Sequence, residues 1–167
     1  MKYEVMVMLK HSILTVGIFV FMLLLLGNCR SSAQTKGMQE GVRDMARAIV
    51  RDLHNEGPNA WLKYFTNSKQ FFMASNGVLV FPNIDSANKF VPLFAKQIKR
   101  VELTWRDIIV DSLSEKFGIM AASYHEDLVG EKGVQDSPSG YFTGLVENTP
   151  SGWKLRDAHW SSGGPQH

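Results

Sequence analysis

The sequence predicts an α+β domain behind a short apolar leader. Apolar residues step by three and four through the first part of the domain, as in amphipathic helices. From Val101 the step changes to two, as in strands with one buried face. The strands are joined by polar turns, so an antiparallel meander follows the helices. One face of such a sheet packs in the core and the other meets water.

The leader covers residues 1–33. Lys2, Lys10 and His11 precede the apolar run Ile13 to Leu26. That run is shorter than the roughly 20 apolar residues that span a bilayer, and it suits the core of a signal peptide. Ser31 and Ala33 supply the small side chains a signal peptidase reads before its cut. Gln34 then becomes the N-terminus of an exported domain. Two alternatives stand beside this. Leu26-Gly27-Asn28-Cys29 can be read as a lipoprotein box with lipid on Cys29, and an uncleaved leader would be an anchor. Membrane contact is expected only through this segment.

Lys2, Lys10 and Arg30 against Glu4 account for the whole formal charge of +2, so the chain from Gln34 onward is neutral. A neutral domain has no electrostatic footprint for nucleic acid. Cys29 is the single cysteine, which leaves the domain without a disulfide or a thiol ligand. Such a domain relies on its core, and Trp61, Trp105, Trp153 and Trp160 are available to fill it.

The first helix is predicted from Met38, Val42, Met45, Ile49, Val50 and Leu53. Gly57-Pro58 ends it and starts a short second one, with Trp61, Leu62, Tyr64 and Phe65 on its apolar face. Lys69 to Ala74 and Val78 to Phe81 read as strands around Asn76-Gly77, a hairpin pair in which both residues tolerate positive φ. A third helix begins at Asp85 or Ser86, with Ala87, Phe90, Phe94 and Ile98 on one side and Pro92 inside it. Strands follow from Val101, over Phe117 to Val129, over Tyr141 to Glu147, and over Trp153 to Trp160. Residues 162–167 read as an unstructured tail.

The run Gly152-Trp153-Lys154-Leu155-Arg156-Asp157-Ala158-His159-Trp160-Ser161 resembles the closing strand of SnoaL-like proteins, within the nuclear transport factor 2-like superfamily. The Gly57-Pro58-Asn59-Ala60-Trp61 junction, Phe71-Phe72, Asn76-Gly77 and Val101-Glu102-Leu103 extend the resemblance, which covers roughly Met38 to Ser161. It implies a conical α+β barrel, a bent sheet wrapped around a long helix over an open cavity, in proteins that are often dimers. The fold hosts isomerases, cyclases, dehydratases, hydrolases and binding modules, so it names no reaction. The steroid-isomerase-like branch uses a tyrosine on the first helix and an aspartate at the end of the first strand. Here Gln39 to His54 has no tyrosine, and Met73-Ala74-Ser75-Asn76 has no carboxylate.

Strict alternation puts Asp107 on the face of Leu103 and Trp105, and puts Asp157 and His159 on the face of Trp153 and Leu155. If neither strand is bulged, these groups face the concave side. There Asp157 and His159 are candidates for acid–base work or ligand contact. The structural alternative is that Arg106 or His125 satisfies the buried carboxylates. Only one of the neighbours Tyr124 and His125 can face inward, and the pattern leaves open which. Trp105 is either core or cavity wall. The ligand-contact candidates are thus His159, Asp157, Asp107, Tyr124 and Trp105. No cofactor is expected, and His125, His159 and one Asp make a poor metal set. Three functions fit: a pocket for a small organic molecule, a cofactor-free isomerase, cyclase or lyase using Asp157 and His159, or a dimerisation or partner-binding module.

Overall fold

The computed structural model describes residues 35–163 of the 167-residue chain. Ser31, Ala33 and the alternative lipidation site Cys29 lie outside the described residues, as do residues 164–167. The chain divides into Met1–Gly37 and Met38–His167, and the domain described here is the second.

Helix α1 occupies residues 38–56 of this unit. Its spacing of three and four buries Met38, Val42, Met45, Ile49 and Leu53. On the exposed side Arg47 bridges Glu40 and Asp44. Gly57, at φ 70°, takes the left-handed conformation that ends the helix. Pro58 then opens a 3-10 helix, Gly57–Lys63. The Tyr64 hydroxyl donates to Asp52 at 2.7 Å and ties this turn back to α1.

Strands β1 (Phe72–Ser75) and β2 (Val78–Phe81) form the expected hairpin. Asn76 and Gly77 sit at φ 49° and 80°, as a primed turn requires. Helix α2 (Ile84–Ala95) starts one residue before the earliest expected position, because Asn83 caps it and Ser86 completes the capping box. It buries Ala87 and Val91, contains Pro92, and ends before Ile98, which belongs to the next strand.

The remaining strands are β3 (Ile98–Ser112), β4 (Phe117–Gly130), β5 (Gln135–Asp136), β6 (Ser139–Thr149), β7 (Gly152–Leu155) and β8 (Asp157–Ser162). The sheet runs β2-β1-β8-β6-β4-β3, with β5 beside β4 and β7 beside β6. The α+β class is as expected, and the sheet is mixed: β1 pairs with β8 in parallel and the other pairs are antiparallel. Fully buried Phe71, Phe142, Met120 and Leu155 meet Ile49 and Leu53 of α1 in one core.

Two irregularities correct the expected phases. In β3 the register against β4 slips by one residue between Arg106 and Ile109, and Asp107 takes φ 51°. An extra residue of this kind is a β-bulge and reverses the inward face beyond it. Val101 and Leu103 are buried before the bulge, Val110 after it, and Asp107 is left exposed. The predicted closing strand is likewise two strands. Val146 faces Leu155 and Thr143 faces His159, so one extra residue lies between them. At the break the Arg156 N–H donates to the Leu145 carbonyl at 2.7 Å. The inward residues are therefore Leu155, Ala158 and Trp160. Strand β8 also runs through Ser162, past the expected start of the tail.

Candidate functional site

An open cavity of about 320 Å³ lies among the 3-10 helix, the β1–β2 hairpin, α2 and the sheet. Its wall is mostly aromatic. Trp61 and Phe65 come from the 3-10 turn, Phe81 from β2, Phe90 and Phe94 from α2, and Trp160 from β8. Phe81, Phe90 and Phe94 contact one another in sequence, at 5.6 and 6.1 Å between ring centres. Trp160 meets Trp61 edge-on at 5.6 Å and Tyr124 at 4.8 Å. Such offset and edge-on contacts hold the rings in place.

Few polar groups enter this space. On β4, Met120 and Ala122 point into the core, and alternation carries Tyr124 and Glu126 to the same side. The Tyr124 hydroxyl sits 3.2 Å from Ser162 Oγ. Asn76 fixes Ser162 in turn, accepting from its backbone N–H at 2.7 Å and donating to its hydroxyl at 3.2 Å. The hairpin turn that makes β1 and β2 thus also sets one polar group of the cavity.

Glu126 is the ionisable acid of the wall. Its backbone donates to Pro138 O at 2.9 Å, but its carboxyl has no hydrogen bond or ion pair among the described residues. Burial pushes it up to about 7 from its ordinary value near 4.5, and the charge of Asp136 on β5 adds to the rise. A carboxyl half-ionised at neutral pH, in an apolar cavity, can accept or donate a proton or pair with a cation. The sequence reading missed it. The available signal was parity: Tyr124 inward requires Glu126 inward.

The other candidates lie elsewhere. Trp105 is half-buried, stacked on Trp160 at 5.5 Å and tilted against Phe142 at 5.2 Å. It backs the cavity wall without lining it, and its Nε1 is buried without a hydrogen-bond partner among the described residues. Asp107 is exposed at the β3 bulge, accepting weakly from Ser123 Oγ at 3.4 Å. Asp157 accepts the Leu145 N–H at 3.1 Å, a role within the β7–β8 bulge. His159 is exposed and pairs with Thr143 on the outer side of the sheet. Asp157 and His159 do share a face, but the bulge turns it away from the cavity.

His125 also points outward, with Nδ1 2.8 Å from Ser139 Oγ and Nε2 3.3 Å from Asp127 Oδ1. This serine–histidine–carboxylate series is exposed and lines no part of the cavity, so nothing there excludes water. Among the described residues no three His, Cys, Asp or Glu side chains converge as metal ligands.

The element order and sheet path align with solved structures. A nuclear transport factor 2-like superfamily protein from Salmonella enterica serovar Typhimurium superimposes with a TM-score of 0.60 at 14% identity, over 82% of this chain and 94% of that one. The chain has the nuclear transport factor 2-like fold. A protein of this fold and of unknown function from Shewanella oneidensis matches at 0.55 and 19% identity, over 73% of this chain and 97% of that one. A hexachlorocyclohexane dehydrochlorinase, LinA type 2, matches at 0.59 and 6% identity, over 74% and 70% of the two chains. No family model and no curated protein sequence matches the chain. At these identities the likeness is one of fold.

Proposed function

We propose that the domain binds a small, mainly apolar organic molecule in the cavity beside Glu126 and Tyr124. The observation that carries this reading is an aromatic-walled cavity of about 320 Å³ interrupted by only a few polar groups. Pockets that bind small molecules have this composition, apolar walls with a small number of placed polar atoms. The volume is roughly twice the ~150 Å³ that holds one benzene, so a fused bicyclic ring is a fair probe. Calorimetric titration with indole should show saturable binding. Ser75→Trp, which fills the cavity from β1, should abolish it while leaving the circular dichroism spectrum intact. Equal binding by the variant, or no binding by the parent, would rule the cavity out.

Proton transfer on the bound molecule is a second reading, favoured by the near-neutral Glu126 and not by Asp157 or His159. Deuterium uptake into a bound carbon acid, followed by NMR in D₂O and absent in Glu126→Gln, would support it. Binding without exchange would leave a binding protein.

We further propose that the chain is exported, by cleavage before Gln34 or lipidation at Cys29, as Ile13 to Leu26 and Ser31-Ser32-Ala33 suggest. N-terminal sequencing of protein from the producing cell tests this, and an intact Met1 on soluble cytoplasmic protein would contradict it.

A further inference from the structure

We infer that the occupant of the cavity is an organic cation, an ammonium or protonated amine joined to a small apolar body. This rests on the binding reading above and adds the charge of the ligand. Three features of the wall carry it. First, aromatic side chains line one space, with Trp61 and Trp160 in contact and Phe81, Phe90 and Phe94 in a second series. A cation near the faces of such rings is attracted by the ring quadrupoles, and the attraction grows when water is excluded. Second, Glu126 enters the same space with a carboxyl that no described residue pairs. Third, among the described residues no lysine, arginine or histidine lines the cavity, so no positive charge there would receive an anionic ligand.

An unpaired carboxyl in an apolar wall is unfavourable by itself. Burial raises it to about 7, so near neutral pH the group can take up a proton instead of a partner. A bound cation supplies the partner and drives the proton off. Asp136, whose charge also acts on Glu126, adds to the negative potential the cation meets. The faces turned to Glu126 from the 3-10 helix, β1, β2, α2 and β8 are uncharged, and Tyr124 is the other ionisable lining group.

The test compares phenyltrimethylammonium with tert-butylbenzene, its neutral isostere, on the full-length chain by calorimetry. The cation should bind at least about tenfold more tightly at pH 8. Its affinity should fall about tenfold from pH 8 to pH 6, as Glu126 takes up its proton through a value near 7. Tert-butylbenzene should show no such fall. In Glu126→Gln the pH dependence should vanish and the preference should shrink to what the rings alone supply. If that variant does not fold, the pH arm on the parent protein decides alone. Tert-butylbenzene binding as tightly as the cation at pH 8, or a cation affinity indifferent to pH, would overturn the inference and leave cavity binding standing. Binding of neither compound would overturn both.

Discussion

Glu126 is the residue on which chemistry and stability meet. In the unfolded chain its carboxyl ionises near 4.5, in the folded domain near 7. Between those values the folded state holds a proton that the unfolded state has released. Stability therefore falls as pH rises through this window and levels off above it. Glu126→Gln removes this contribution. Urea denaturation should show the variant gaining on the parent between pH 5 and pH 8. A stability difference that does not change with pH would mean the carboxyl is solvated in the folded state. On β7 and β8 a neighbouring pair of residues reads out the strand phase. Leu155 is buried, so Leu155→Ala should cost about 2–5 kcal/mol. His159 is exposed, so His159→Ala should stay within about 0.5 kcal/mol. A large loss at His159 would put it back in the interior.

At the scale of elements, two bulges set the phase of the strands: the one in β3 leaves Asp107 exposed, and the one near Arg156 brings Leu155 and Trp160 to the cavity. Gly144 on β6 sits beside the second one, where an added Cβ would lie 2.8 Å from the Asp157 carbonyl oxygen. Backbone cannot give way there as a flexible side chain can. Gly144→Ala should therefore destabilise by about 1–3 kcal/mol in chemical denaturation, the range for overpacking. A neutral substitution would mean that β8 does not approach β6 as described. The same bulges explain what was legible in advance. Helix α1, the Asn76-Gly77 hairpin and the long strands announce themselves through periodicity and turn chemistry, which are local. The cavity-facing pair Tyr124 and Glu126 was half legible, since alternation ties the two together once one is placed. Asp157 and His159 were misplaced because one extra residue near Arg156 reverses every side chain beyond it. That bulge is held by Leu145, on another strand, through a contact the local sequence does not mark.

At the scale of the whole molecule, the outer face of the sheet exposes Ile109, Ile119 and Tyr141 on three adjacent strands. The homodimer that the fold resemblance implies is a proposal this apolar face supports. Sedimentation equilibrium should give twice the monomer mass, and Ile119→Lys should return the monomer. A parent protein that is monomeric at all concentrations would contradict it. The cavity lies on the inner side of the same sheet, and its use is the central claim. It is tested most directly by the ¹³C NMR titration of the Glu126 carboxyl, with the free protein and with saturating indole. The account predicts a titration near pH 7 in the free protein, displaced when indole takes the place of water around the carboxyl. A titration near the ordinary glutamate value, unmoved by indole, would contradict it.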